Sequence, residues 1–359
     1  MLTAEQLGLQ ESVRDLFADH STESRVRQVV GERSAFDAGL WERLAKLGLA
    51  GLIVGEESGG QGGTLTDLCV VLVEAGAALA CVPLLATSGA LSLLHNTGAA
   101  DLVEPLATGA QVWTPALAEG RSGWGLQAVS ATAKPGWTLS GTKTYVAHAT
   151  AADGFVVSAR TPDGPALFAV TADAAGVRRE ALKSLDATRP LGTVTFENSP
   201  ARLLAAGADA ENAYTAAMDV IAVLTAADAA GVARRCTAMA VDYAKTRRQF
   251  GRAIGSFQAI KHACADMAVA AESAGSLVWD AAAALHNGPD PVAASTAKAY
   301  CCDAAVHCAE ENIQVHGGIG FTWEHPAHLY LRRAKGNELA YGSPAEHRDR
   351  VALALAAGV

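Results

Sequence analysis

"YAKTRRQFGRAIGSFQAIKHACADMA" (residues 243–268) keeps apolar residues at helical spacing on both flanks, yet the pattern fails in the middle. Gly251 and Gly255 interrupt it, and the paired arginines Arg247 and Arg248 stand just before the break. Glycine lacks a Cβ and lets backbone N–H groups approach an anion closely, and arginine adds a fixed fork of donors suited to phosphate oxygens. A second stretch has the same grammar. In "IQVHGGIGFTWEHP" (313–326) a helix runs through Gln314 into Gly317, Gly318 and Gly320. Each break alone is also what a helix C-terminus looks like, with glycine at the cap and a cation complementing the macrodipole. Together the two breaks carry groups that could hold a dinucleotide.

Around these breaks, the chain from Asp209 onward reads as long alanine-rich helices interrupted at 251–255, 287–291, 317–320 and 342–344, which predicts a helical bundle. Upstream the period changes. "LQAVSATAKPGWTLSGTKTYVA", "GFVVSART" and "PLGTVTFENSP" are short Val- and Thr-rich runs separated by Gly, Pro and Asp turns, and with their neighbours they predict an antiparallel β-domain of about seven strands. Residues 3–50 return to helical spacing, ending in "GLWERLAKLGLAGL", and "TDLCVVLVEAGAALACVPLLATSGALSLLHNTG" gives two more helices divided at Pro83. The polar loop between them, "VGEESGGQGGTL" (54–65), follows no strand in a G-x-G-x-x-G frame and lacks a P-loop lysine, so it reads as a turn. The expected fold is α+β: an N-terminal helical domain (1–108), a central antiparallel β-domain of sandwich or barrel type (109–206), and a C-terminal four-helix bundle (207–359).

Half of the residues are apolar, enough for a substantial core, and 28 basic against 37 acidic residues give a formal net charge of -9. That balance argues against nucleic acid or an anionic membrane as a partner held by bulk charge. The seven cysteines are odd in number, lie mostly in apolar stretches and form no C-x-x-C pair, so they read as buried free thiols in a reducing cytoplasm. The acidic, amphipathic start "MLTAEQLGLQESVRDLF" does not read as a signal peptide, and no uninterrupted apolar run is long enough to span a bilayer. His316, His325 and His328 lack the spacing of a helical zinc pair, and no metal is expected.

The order of regions and three of these stretches resemble the acyl-CoA dehydrogenase family over essentially the whole chain. "LWERLAKLGLAGLIVGEESGGQGG" is similar to that family's N-terminal signature, the 243–268 stretch to its R-x-x-F-G segment, and "IQVHGGIGFTWEHPAHLYLRRAK" to its Q-x-x-G-G-x-G segment. The resemblance implies that Arg247, Gln249, Phe250, Gln314, Gly317 and Gly318 bind the adenine and pyrophosphate half of an FAD whose flavin lies in the neighbouring subunit.

The resemblance also sets a requirement. The family's reaction removes an α-proton with a glutamate while the flavin takes hydride from the β-carbon, so the base needs a raised pKa in a dry pocket, and donors must hold the thioester oxygen. At the family's two base positions this chain has Tyr341 and Ile221. A phenol with a pKa of about 10 is a poor base at neutral pH, and isoleucine is none, so no catalytic residue is assigned. The flavin-side segments depart as well: "TPALAEGRSGW" (114–124) stands where the family has a Thr-Glu-Pro-Gly-x-Gly-Ser-Asp run, and "KTYVAH" (143–148) puts Tyr145 in place of a tryptophan and Ala147 in place of a polar residue. The nucleotide half is kept while the chemical half is lost. This is similar to the base-lacking subunit of bacterial heterotetrameric members associated with β-oxidation of steroid side-chain CoA thioesters. The expected partners are therefore an unlike acyl-CoA dehydrogenase subunit, an acyl-CoA substrate and an electron-transfer flavoprotein as electron acceptor. Two alternatives stay open: a self-sufficient homo-oligomer using an unorthodox base such as Glu338, and a non-enzymatic protein that binds CoA esters or acts as a scaffold. Asp219 and Asp228 are the remaining acids near the second base position, Tyr145 and His148 read as satisfied polar residues of the β-domain, and the run Arg332, Arg333, Lys335 reads as a solvated basic face.

Overall fold

The computed structural model describes residues 2–33, 35–95, 97–120, 123–126, 132–134 and 136–356. In chain order the helices are α1 (Ala4–His20), α2 (Glu23–Gly31), α3 (Ala38–Lys46), α4 (Leu65–Ala77), α5 (Leu84–His95), α6 (Ala100–Ala107), α7 (Gly207–Thr246), α8 (Gln258–His286), α9 (Pro291–His316), α10 (Ala327–Leu339) and α11 (Pro344–Ala356). The strands are β1 (Trp113–Ala116), β2 (Thr132–Lys134), β3 (Thr138–Ala147), β4 (Gly154–Thr161), β5 (Gly164–Thr171), β6 (Val177–Ala181), β7 (Leu191–Pro200), β8 (Arg202–Ala206) and the short pair β9 (Arg248–Gln249) and β10 (Arg252–Ala253). The chain forms two compact units that interleave in sequence: residues 1–28, 65–80 and 222–359 make one, and 29–64 with 81–221 make the other.

The first unit is helical apart from the short β9–β10 pair. α9 starts cleanly because Asp290 accepts from the Ala293 N–H at 2.8 Å and Pro291 fills the first turn, where a missing N–H costs nothing. It is buried along most of its length, Ala294, Ala297, Ala305 and Ala309 included, and packs against α8, α10 and α11. Two helices meet even more tightly. A Cβ on Gly76 of α4 would lie 2.1 Å from the Asp228 carbonyl oxygen, and one on Gly231 of α7 would lie 2.0 Å from that of Val73, so each helix notches the other at a glycine. Glu74 fastens the same neighbourhood, bridged by Arg14 at 3.1 Å and Arg234 at 2.6 Å. Burial alone would push the Glu74 carboxyl up; the two guanidiniums outweigh it and hold it below the usual range.

Asp228, one of the acids weighed from sequence, is a structural partner. It accepts from Arg333 at 3.0 Å and from the Asn337 amide at 2.6 Å, with both ion-pair side chains almost fully buried. The basic run 332–335 is therefore not one solvated face. Arg333 points inward to that pair while Lys335 stays half-exposed beside Glu338 and Glu310, because residues two apart on a helix face different ways. By length and hydropathy α7 alone among the described residues reaches what a bilayer crossing needs, although Asp219 and Asp228 divide it and leave no uninterrupted apolar run. Its most apolar window is 89% buried within the fold, as befits a core helix.

The second unit is built on one eight-stranded sheet, ordered β6-β7-β3-β2-β4-β5-β8 with β1 also pairing β4. Most neighbours are antiparallel, as expected, but β1 and β2 both run parallel to β4. The β3 excursion supplies the crossover that a parallel pair requires. The eighth strand, β8, escaped the sequence reading because "RLLAA" has no alternation and runs straight into a helix. β4 is buried on both faces and α5 is buried all round, packing on β1. The six cysteines other than Cys264 are buried, and all seven are free thiols.

Candidate functional site

α7 ends at Thr246, and the chain then doubles back. Gln249 lies opposite Arg252 in the β9–β10 pair, so Phe250 and Gly251 form a two-residue turn, and both take positive φ, +50° and +77°, as a type I′ turn requires. A Cβ on Gly251 would meet nothing, so glycine serves the backbone angle rather than space. Phenylalanine in that region costs roughly 1–2 kcal/mol. Its ring meets Phe257 edge-on with centroids 6.0 Å apart, and the Arg252 guanidinium sits 4.0 Å over the Phe257 ring. Arg247, Arg248 and Gln249 are exposed, and Phe250 is 91% exposed. Among the described residues no ion pair engages Arg247 or Arg248, so both guanidiniums keep their donors for an anion.

The second glycine break begins where α9 stops. Gly317, at φ +61°, caps the helix, its N–H directed at the Ile313 and Gln314 carbonyls. A Cβ on Gly317 or Gly318 would meet nothing within 4 Å, so both present an open backbone face. Gly320 differs. There a Cβ would lie 2.9 Å from the Ile313 carbonyl oxygen, so its role is close packing. Gln314, Gly317 and Gly318 are exposed. The two breaks share one end of the helical unit because Tyr243 of α7 stacks on His316 of α9, centroids 4.2 Å apart, and His325 extends the stack at 4.2 Å. His316 donates through Nδ1 to the Asn312 carbonyl at 2.7 Å, and among the described residues no group of three ligands suits a metal.

The two base positions carry no carboxylate. Tyr341 is 7% exposed at φ +57°, and its carbonyl accepts from His347 Nε2 at 3.1 Å. The turn after it is held from below by the fully buried Lys298, whose ammonium donates to the Asn337 carbonyl at 3.0 Å and the Gly342 carbonyl at 2.9 Å. Ile221 is fully buried in the second unit, where a Cβ on Gly89 would lie 3.2 Å from it. Glu338 sits one turn before Tyr341 and is engaged by Lys335 at 3.3 Å. Asp219 is buried.

In the β-domain, Arg121 and Ser122 of the 114–124 stretch lie outside the described residues. The neighbouring backbone pairs at a bulge in β3: Thr144 N–H donates to Ala118 at 2.9 Å and Gly120 N–H to Thr144 Oγ1 at 2.8 Å. Tyr145 emerges from that bulge at φ +56° and 48% exposed, and Ala147 is buried. His148 is satisfied, as expected, with Nδ1 2.9 Å from the Ala35 carbonyl. Sequence reasoning missed Lys143. It is fully buried, and its ammonium donates to Glu119 at 2.5 Å, Ser158 Oγ at 3.0 Å and the Leu117 carbonyl at 3.3 Å, tying the 117–120 segment to β3 and β4. Burial lowers the Lys143 pKa to about 8 although Glu119 opposes the shift. A lysine inside a strand of alternating pattern was the signal that could have revealed it.

Comparison with known proteins identifies the class. The acyl-CoA dehydrogenase N-terminal, middle and C-terminal domain profiles match residues 3–111, 115–199 and 212–356. Acyl-CoA dehydrogenase IpdE2 of Mycolicibacterium smegmatis is 34% identical over 344 residues, 96% of each chain. Acyl-CoA dehydrogenase FadE34 of Mycobacterium tuberculosis is 38% identical over 319 residues, which make up 88% of this chain and 42% of that one. A solved structure of the Tcur3481–Tcur3483 steroid ACAD variant superposes with a TM-score of 0.89 at 33% identity, covering 99% of this chain and 98% of the other. The chain belongs to the acyl-CoA dehydrogenase family. It is thereby an FAD-dependent oxidoreductase of the class acting on CH–CH bonds.

Proposed function

We propose that this chain is the base-lacking subunit of an acyl-CoA dehydrogenase made of two unlike chains. The observation that carries the reading is a division within the protein: Arg247, Gln249, Phe250, Gln314, Gly317 and Gly318 are all exposed, while Tyr341 and Ile221 stand where a carboxylate is needed. The residues present fit a nucleotide. Arg247 would pair with the pyrophosphate, the Gly317–Gly318 backbone would admit it at close range, Gln314 and Gln249 would bond polar edges, and the Phe250 ring would cover the base. FAD, when bound, supplies the acceptor for hydride from the β-carbon of the thioester. The partner chain supplies the glutamate and most of the flavin contacts. Glu338 is a poor substitute because Lys335 engages it.

Two likenesses support the pairing. The Tcur3481–Tcur3483 steroid ACAD is a heteromer, and FadE34 is more than twice the length this chain matches, leaving room in one polypeptide for a second segment of this size. The first also supports the CoA thioester of a steroid side chain as substrate. We read the assembly as cytoplasmic, passing electrons to an electron-transfer flavoprotein. The test is FAD content per chain, by visible absorbance, of the protein purified alone and after co-expression with the nearest acyl-CoA dehydrogenase-like gene of its genome. Flavin only in the co-purified complex is the expected result; a full complement of flavin and turnover on the lone chain would overturn the reading.

A further inference from the structure

Beside Pro326, where the second glycine stretch ends, and away from both base positions, the helical unit forms an open cavity of about 610 Å³ between α1, α2, the end of α4, the later turns of α7 and the start of α10. That is within the usual range of about 300–1,000 Å³ for small-molecule sites. Its two sides differ in chemistry. The floor is apolar, formed by Phe17, Val26, Leu79 and Leu329, each no more than 4% exposed. The rim carries three guanidiniums: Arg14, Arg234 and Arg235.

The rim holds more donors than acceptors. Glu74 takes two bonds from Arg14 and one from Arg234, leaving most of the N–H groups of those two arginines uncommitted. Arg235 is exposed, interacts with the Tyr330 hydroxyl through part of its guanidinium and, among the described residues, forms no ion pair with a carboxylate. Glu23, the other acid at the cavity, is bonded by Arg27 at 2.8 Å. The backbone acceptors at the end of α4 are also spoken for, since Ser21 Oγ donates to the Ala78 carbonyl at 3.1 Å and the Tyr330 hydroxyl to that of Ala77 at 2.9 Å. A cavity with a dry floor and a surplus of cationic donors at its mouth suits an anion attached to an apolar body.

We propose that this cavity is a binding site for an amphipathic carboxylate, with the hydrocarbon against Phe17, Val26 and Leu329 and the carboxylate bridging Arg235 and Arg234. The inference does not depend on the partner chain or on flavin. The test is isothermal titration of the purified protein, with and without its co-expressed partner, using sodium decanoate as the probe and decan-1-ol as the uncharged control. One saturable site is expected, with decan-1-ol at least about tenfold weaker, in line with loss of a charge-assisted bond. Arg235→Gln should weaken decanoate several-fold. Ala238→Trp, which places an indole in the cavity from an exposed position, should abolish binding with the thermal midpoint unchanged. Excess decanoyl-CoA, too large for the cavity, should leave decanoate bound. Absence of saturable binding, equal affinity for the alcohol, displacement by decanoyl-CoA or indifference to both substitutions would each overturn the assignment.

Discussion

Tyr243 and His316 stack at 4.2 Å with their planes 28° apart, and each ring sits just before a glycine break: Tyr243 four residues ahead of Arg247, His316 next to Gly317. One ring contact thus sets the spacing of two segments that are some seventy residues apart in sequence. The stack brings both segments to one end of the helical unit, which is what the proposed nucleotide site requires.

Arg247→Ala should leave the thermal midpoint unchanged, since the side chain is exposed and unpaired, while FAD retention by the assembled complex falls about tenfold or more. The fluorescence of FAD released on dilution measures this. Unchanged retention would remove Arg247 from the cofactor site.

The glycines of the second break should separate into two behaviours. Gly318→Ala meets open space, so stability should hold and only FAD retention should fall; Gly320→Ala forces a Cβ to 2.9 Å from the Ile313 carbonyl oxygen, so the melting temperature should fall as well. Thermal scans of both variants beside their flavin content resolve the two cases.

Tyr341→Phe should keep turnover of the complex within about twofold of the parent, because a phenol is a poor base at neutral pH. A loss of a hundredfold in kcat would show that the hydroxyl takes part in chemistry.

Asp228→Ala strands Arg333 in the core and should cost about 3–5 kcal/mol, read from denaturant unfolding. Pairing it with Arg333→Met should recover much of the loss, since no buried charge is then left alone.

His347 predicts an acid-sensitive stability. Burial, reinforced by the nearby Lys298 cation, lowers its pKa from 6.5 to about 4, and the neutral ring donates from Nε2 to Tyr341 and lies 3.2 Å from Ser295 Oγ. A histidine depressed in the folded state contributes its full stability above pH 6.5 and loses it as pH falls toward 4, because the unfolded chain binds the proton first. The loss over that window is about 3 kcal/mol. Unfolding free energies measured from pH 7 to pH 4 should show the decline, and His347→Gln should flatten it.

The three-region plan was legible because its punctuation is local. Pro83, Asp290 with Pro291, and Gly251 each force a stop or start through their own backbone chemistry, and the structure has element boundaries at all of them. The exposed character of Arg247 and Gln314 was legible for the same reason. What stayed hidden depends on partners distant in sequence. Nothing in "WTPA" says that β1 will lie parallel to β4, and nothing in "LRRAK" says that Arg333 will meet a carboxylate on another helix while Lys335 does not. Lys143 and Glu119 form a buried pair across 24 residues, a distance no local pattern encodes.

The reciprocal notch of Gly76 and Gly231 bears on how such a chain tolerates change over generations. Helix spacing in this unit is fixed by two positions where even a methyl group would collide with backbone, whereas Ile221 and Tyr341 sit in surroundings that accept their bulk. Scaffold and chemistry therefore answer to different residues. On the function proposed above, a duplicated copy of the enzyme can drift away from its own reaction while its shape stays under constraint, and remain fit to assemble with a sister that still performs it.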